Sequence, residues 1–240
     1  MKLPRWAGQL FYQEECFMSE VQLKKPLAKY IDHTLLKADA TPAQIKKLCA
    51  EAEEYQFASV CVNSCYAKLA HECLRGRGVA VCCVVGFPLG AMDTASKCFE
   101  AKTAVENGAE EVDMVINLGW VKDRKWEDLL SEIKAIKEAC HGKLLKVIIE
   151  CCFLTDEEKI KLCEIVTASG ADYIKTSTGF GGGGATREDV ALFAKHVGPN
   201  VKIKAAGGIA NLQDAEDFIN LGASRLGTSR IVKAVKAMEK

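Results

Sequence analysis

The sequence has 240 residues, of which 49% are hydrophobic and 27% charged, a composition typical of a globular protein with a substantial core. Its 32 basic and 32 acidic residues cancel, so no net field favours binding to nucleic acid or to an anionic membrane. The chain contains no run of about 20 apolar residues, so no transmembrane helix is predicted.

Residues 1–27 are predicted to form a short N-terminal extension with a helix, ahead of a single domain that spans residues 28–240. The first 17 residues include Glu14 and Glu15 and lack a continuous apolar segment. Both features disfavour a secretory signal peptide, which needs an uninterrupted apolar stretch.

Eight short segments are typical of strands that are covered on both faces, because their apolar residues run together. They begin near residues 31, 58, 79, 111, 144, 171, 201 and 224. Buried strands of this kind are the signature of a parallel sheet.

Helical patterns follow these strands, and several have clear start signals. Thr41, Pro42 and Gln44 predict a capped N-terminus, and Thr155 with Glu158 predicts another. Eight βα units in about 210 residues predict an α/β protein with a closed (β/α)8 barrel, or TIM barrel. An open doubly wound sheet is the alternative, but no GxGxxG motif follows the first strand.

The twelve cysteines are predicted to be reduced core residues. Free cysteine packs like a small hydrophobe, and no CxxC pair occurs in the chain. The spacing closest to a metal motif is Cys61-x3-Cys65, and it lacks a second half. We therefore expect a reducing compartment, the cytoplasm, and no metal ion.

The stretch ADYIKTSTGFGGGGAT, residues 171–186, places a lysine where a buried strand ordinarily carries Val or Ile. Lys175 follows Tyr173 and Ile174, and lysines are rarely buried without a partner. A desolvated lysine can lose its proton near neutral pH and attack a carbonyl carbon to form an imine. The alternative is a lysine that reaches solvent or forms a structural ion pair.

Three further charged residues, Asp32, Asp113 and Lys204, are expected at the carboxyl ends of strands, where active sites of this fold lie. Lys204 and Lys175 fall on neighbouring strands, so one ammonium group should make the other lose its proton more readily. Asp113 is expected to keep the second ammonium charged and to transfer protons. Each residue alone is compatible with a structural ion pair, but four together predict a catalytic site.

Glycine turns follow the last three strands, and the loops after strands seven and eight of this fold commonly bind phosphate. The candidate residues are Thr178, Gly179, Gly207, Gly208, Gly227 and Ser229. Exposed backbone N–H groups in such turns can hold a phosphate. One glycine turn is weak evidence, but three favour a site for a phosphorylated carbonyl compound.

Several segments together resemble the deoxyribose-phosphate aldolase family. In chain order, between about residues 28 and 232, they are IDHTLLK, CVN, VVGFPLG, EVDMVIN, KVIIE, IKTSTGFGGGGAT, KAAGGI and LGTSR. The segments KTSTG and KAAGG are the most specific to that family. The resemblance implies a class I aldolase, a lyase without metal or cofactor, that acts in deoxyribose phosphate catabolism and forms a homodimer.

The resemblance also implies the reaction and the residue roles. The reaction is the reversible cleavage of 2-deoxy-D-ribose 5-phosphate to acetaldehyde and D-glyceraldehyde 3-phosphate. Lys175 would form the Schiff base, Lys204 would perturb it, and Asp113 would transfer protons. Asp32 would orient a substrate hydroxyl or Lys204.

Three other interpretations of the residues remain. One is a related phosphosugar lyase or transaldolase-like barrel, which would share Lys175 but accept other aldehydes. Another is a non-covalent phosphosugar-binding barrel, either an isomerase or an inactive binding protein, for which paired lysines are unnecessary. The third is a cysteine-based metal or redox protein, which no ligand spacing supports.

Overall fold

The computed structural model describes residues 26–232, and at their centre eight parallel strands close into a barrel in chain order, with β8 paired to β1. The strands are β1 (Ile31–Leu35), β2 (Ser59–Asn63), β3 (Ala80–Val85), β4 (Glu111–Val115), β5 (Leu144–Ile148), β6 (Tyr173–Lys175), β7 (Lys202–Ala206) and β8 (Ala223–Thr228). The predicted (β/α)8 barrel is confirmed, and each strand begins within two residues of its expected start. The predicted extension, apart from its last residues, lies outside the described residues.

Helices on the outside of the barrel connect the strands. They are α1 (Pro42–Glu54), α2 (Ala67–Leu74), α3 (Thr94–Glu106), α4 (Leu118–Lys122), α5 (Trp126–Ala139), α6 (Asp156–Ser169), α7 (Arg187–His196) and α8 (Leu212–Asn220). Short α4 was not predicted; Asn117 caps it by accepting a hydrogen bond from the Trp120 backbone N–H at 3.2 Å. Within residues 26–232, no helix has the length and apolar character needed to cross a membrane.

The predicted helix starts are confirmed. The Thr41 side chain accepts from the Gln44 backbone N–H, and the Gln44 side chain accepts from the Thr41 backbone N–H. Thr155 and Glu158 form the same reciprocal capping box at α6. These caps satisfy backbone donors that the first helical turn leaves free.

Two different cores lie on the two faces of the strands. Outward side chains such as Val60, Val112 and Met114 belong to a large apolar core between the barrel and the helices. Inside the barrel, the apolar cluster is small and consists of Leu36, Cys61, Cys82 and Val84, with Phe87 against it. Much of the remaining interior is charged, and the residues concerned are Asp32, Glu111, Asp113, Lys146, Lys175 and Lys204.

The cysteines of residues 26–232 are free thiols, eleven in number. Seven of them are buried. Burial raises the pKa of Cys49, Cys140 and Cys163 to about 12, so these groups remain neutral and pack as small apolar side chains.

A buried ion pair supports the strand that carries Asp113. Lys97 of α3 donates from Nζ to Glu132 Oε1 of α5 and to the carbonyl oxygen of Val115 at the end of β4, at 2.9 Å each. Both side chains of the pair are fully buried. Burial lowers the pKa of Lys97 and raises that of Glu132, and their mutual attraction offsets these shifts only in part.

Removal of one partner should therefore destabilise the barrel. We expect Lys97→Met to lower the free energy of unfolding by about 3–5 kcal/mol, because Glu132 would be left buried without its cation. The matched control is Lys122→Met, which breaks the exposed Lys122–Glu158 pair and should cost at most about 1 kcal/mol. Urea unfolding of both variants measures the difference, and equal costs would contradict the expectation.

Candidate active site

Lys175 and Lys204 lie side by side on β6 and β7, where they are register partners in the sheet. Lys175 Nζ is 2.7 Å from Asp113 Oδ2, and Lys204 Nζ is 2.8 Å from the same oxygen. The structure thus brings three of the expected catalytic residues together, with one carboxylate oxygen shared by two ammonium groups. Charged hydrogen bonds of this length are strong in a buried site.

The second oxygen of Asp113 has partners that the sequence analysis did not identify. Lys146 Nζ of β5 donates to Asp113 Oδ1 at 2.7 Å, and the Cys82 thiol lies 3.1 Å from that oxygen. Burial alone would raise the pKa of Asp113, but Lys146, Lys175 and Lys204 outweigh it and hold the pKa well below its usual range. Asp113 is therefore a carboxylate with three ammonium partners.

A second group of charges lies next to this one in the barrel, farther from the carboxyl ends of the strands. Asp32 is fully buried, and its oxygens lie 2.5 Å from Lys204 Nζ and 2.5 Å from the Arg225 guanidinium. Arg225 also pairs with Glu111 at 2.6 Å, and Glu111 pairs with Lys146 at 2.7 Å. Asp32 was expected to orient either a substrate hydroxyl or Lys204. It contacts Lys204, and it is absent from the lining of the cavity described below.

The cation partners explain two further pKa directions. Burial would raise the pKa of Asp32, but Lys204 and Arg225 outweigh it and lower the pKa below its usual range. Burial would lower the pKa of Lys204, but Asp113 and Asp32 raise it above its usual range. Lys204 is thus held as a cation.

Lys175 differs from the other cations of the cluster in the number of carboxylates that it contacts. Fully ionised, the cluster has three carboxylates (Asp32, Glu111 and Asp113) and four cations (Lys146, Lys175, Lys204 and Arg225). Lys146, Lys204 and Arg225 each contact two or more of these carboxylates, whereas Lys175 contacts Asp113 alone among them. An unbalanced buried charge is costly, so the cluster is best balanced when one cation is neutral.

A cavity of about 210 Å³ opens beside Lys175 at the carboxyl ends of the strands. All six residues predicted to bind substrate or phosphate line it, namely Thr178, Gly179, Gly207, Gly208, Gly227 and Ser229. Arg230 lines it as well and adds a cation that the sequence analysis did not assign. Lys175 and the glycine turns therefore share one cavity.

Close packing requires glycine where two of these turns meet. A Cβ at Gly184 would lie 2.7 Å from the carbonyl carbon and oxygen of Gly207, so a side chain there would push the turns apart. The next residue, Ala185, donates its backbone N–H to the carbonyl oxygens of Ala206 and Gly207. Gly207 and Gly208 have φ values of +81° and +79°, which favour glycine.

Glu150 fixes the start of the loop after β6. It follows β5 with a left-handed backbone, φ 53°, and accepts from the Thr178 backbone N–H at 3.1 Å and from the Thr178 hydroxyl. The Thr178 hydroxyl oxygen in turn accepts from the Phe180 backbone N–H at 3.0 Å. The carboxylate thus orients a cavity-lining residue.

Three potential metal ligands, Cys61, Cys82 and Asp113, also lie within 4.8 Å of one another. Both oxygens of Asp113 already accept hydrogen bonds from ammonium groups. These ammonium groups would repel a metal cation, so the donor set does not fit one.

Comparisons with known proteins agree on one family. A family model described as DeoC/LacD family aldolase matches residues 27–223. The deoxyribose-phosphate aldolase of Clostridioides difficile (strain 630) is 56% identical over 212 residues, 88% of this chain and 96% of that protein. Among solved structures, an aldolase named QR15 superposes with a TM-score of 0.85 at 39% identity, covering 89% of this chain and 96% of its own. The tetrameric deoxyribose phosphate aldolase of Aeropyrum pernix superposes with a TM-score of 0.83 at 33% identity, covering 89% and 91%. The chain therefore belongs to the DeoC/LacD family of aldolases and is a carbon–carbon lyase.

Proposed function

We propose that this enzyme is a class I deoxyribose-phosphate aldolase. It cleaves 2-deoxy-D-ribose 5-phosphate reversibly to acetaldehyde and D-glyceraldehyde 3-phosphate through an imine on Lys175. The observation that carries the proposal is the position of Lys175, which contacts one carboxylate of the charge cluster and lines the cavity. The identity to relatives named deoxyribose-phosphate aldolase supports the choice of substrate.

The first step needs Lys175 as a neutral amine. Its Nζ adds to the aldehyde carbon of the open-chain sugar, and the resulting carbinolamine takes up a proton at its hydroxyl group and loses water to give a protonated imine. Lys146 and Lys204 each contact two carboxylates and place positive charge beside this amine.

The second step breaks the bond between the second and third carbons of the sugar. The proton of the 3-hydroxyl leaves, D-glyceraldehyde 3-phosphate is released, and the electron pair of the broken bond forms an enamine on Lys175. Asp113 contacts both Lys175 and Lys204, so it is placed to transfer protons between these amines and the substrate. Protonation and hydrolysis of the enamine then release acetaldehyde and restore the lysine.

The phosphate is held at the other end of the cavity. The turns after β7 and β8 provide Gly207, Gly208, Gly227 and Ser229, and Arg230 supplies a positive charge. Binding there orients the sugar so that its aldehyde carbon reaches Lys175. Phosphate contacts therefore contribute position rather than chemistry.

The free cysteines support a location for the enzyme, and the resemblance to the deoxyribose-phosphate aldolase family is the basis for an assembly. Eleven free cysteines among residues 26–232 suit a reducing compartment, and we place the enzyme in the cytoplasm. We propose a homodimer, whereas the Aeropyrum pernix relative is a tetramer. Light scattering on the purified chain measures its mass in solution and would refute the dimer if it gave a different multiple.

The imine is tested by trapping. Borohydride reduction with acetaldehyde or deoxyribose 5-phosphate should leave a reduced adduct on the Lys175 peptide, identified by mass mapping. Lys175→Ala should abolish the adduct and reduce turnover by at least about 10³-fold, because the covalent route is lost. Lys161→Ala is the matched control, since that lysine is exposed on α6 and pairs with Glu164. An intact chain that binds the phosphosugar without forming an adduct would indicate a non-covalent phosphosugar-binding barrel.

Phosphate recognition is tested by comparing two substrates. Ser229→Ala and Arg230→Met should each raise KM for deoxyribose 5-phosphate by about tenfold, the effect of losing one charged or polar contact. The same variants should leave kcat/KM for unphosphorylated deoxyribose nearly unchanged. Equal losses with both sugars would contradict phosphate binding at these turns.

A further inference from the structure

The charge cluster extends from the catalytic cavity to the other end of the barrel. There, Glu111 and Arg225 line a second cavity of about 530 Å³, with Ala58, Val79 and Ala80 at the starts of β2 and β3. Lys175 lines the first cavity, at the carboxyl ends of the strands. Arg225 and Glu111 therefore lie on the side of the cluster away from the substrate.

Two series of short contacts join Arg225 to Lys175. One runs through Asp32, Lys204 and Asp113, with ion-pair distances of 2.5, 2.5, 2.8 and 2.7 Å. The other runs through Glu111, Lys146 and Asp113, with distances of 2.6, 2.7, 2.7 and 2.7 Å. Each contact is direct and the groups between the two ends are buried, so a charge at one end acts on the other with less screening than between surface groups.

We propose that Arg225 and Glu111 are positioning residues that set the protonation state of Lys175 from the opposite end of the barrel. The inference rests on the proposed imine chemistry of Lys175. Neither residue touches the catalytic cavity, and each acts through the lysines and carboxylates between them. Arg225 is the third cation that pairs with two or more carboxylates, and Glu111 is the third carboxylate. With these three carboxylates matched to Lys146, Lys204 and Arg225, Lys175 is the one cation in excess.

The direction of each effect follows from the count. Without Arg225, three carboxylates would face three lysines, and the cluster would be balanced when Lys175 keeps its proton. Without the Glu111 charge, two carboxylates would face four cations, and Lys175 would release its proton more readily. Loss of both charges together restores the original surplus of one.

Other ionisable groups face the cluster, and all of them remain in these variants. Inside the barrel, Cys61 of β2 and Cys82 of β3 lie near Asp113, and Tyr173 of β6 interacts with Arg225. Arg230 lines the same cavity as Lys175. At the second cavity, the additional groups are His71, Arg75 and Glu110. Because these groups are unchanged, a difference between variants reports the substituted charges.

The experiment is the pH dependence of kcat/KM for deoxyribose 5-phosphate, whose acid limb reports the group that must be deprotonated in the free enzyme. Arg225→Met should move this limb to higher pH by about one unit, and Glu111→Gln should move it to lower pH by a similar amount, as expected for a unit charge in a buried cluster. The double variant should return the limb close to its original pH. Opposite shifts cannot come from simple loss of packing, which would lower the plateau without moving the limb.

The matched control is Arg77→Met, which removes a cation that pairs with Glu53 on the surface, where solvent screens it. Its profile should not move. The inference is overturned if Arg225→Met and Glu111→Gln leave the limb in place or move it in the same direction. Should Arg225→Met fail to fold, the Glu111→Gln variant decides by whether its limb moves to lower pH. Borohydride trapping on the parent enzyme distinguishes failure of this inference from failure of the proposed imine chemistry. If only the inference is wrong, the Lys175 adduct still forms in the parent enzyme.

Discussion

The carboxylate of Asp113 is the interaction on which the site depends. One oxygen accepts from Lys175 and Lys204, and the other accepts from Lys146. Three ammonium groups could not be buried this close together without it, because each would repel the others and lose its hydration. With Asp113 in place, the site keeps strong cations beside a lysine that has no second carboxylate of the cluster.

Barrel closure makes this arrangement possible. The charged residues come from β1, β4, β5, β6, β7 and β8, which meet around one axis because the sheet has no edge. Because these charges fill the interior, it has little apolar packing. Most of the hydrophobic stabilisation therefore comes from the outer core between strands and helices. The buried Lys97–Glu132 pair shows how that outer layer serves the inner one, since it also binds the end of β4.

The sequence predicted the barrel well because most outward residues of the strands are apolar, and this signal does not depend on the interior. Lys175, Lys204 and Asp113 were identified because they interrupt apolar segments. Lys146 interrupts LLKVII in the same way, but one lysine within a strand is equally compatible with a structural ion pair, so the interruption alone did not predict a place in the site. Arg225 lies before the end of β8, whereas catalytic residues of this fold are expected at the carboxyl ends of the strands. Which of these charges contact one another depends on register and closure, and the linear sequence does not contain that information.

The two halves of the site are built by different physical means. The proposed imine chemistry depends on side chains that the closed strands hold within ion-pair distance, so the loss of one charge affects every charged group of the cluster. The proposed phosphate site depends on glycine turns, where backbone packing such as that of Gly184 against Gly207 determines the shape of the cavity. Substitutions in the turns can therefore change which sugar is held without changing the charge of Lys175. Substitutions in the cluster alter the lysine for every substrate, because all of them must react with the same amine.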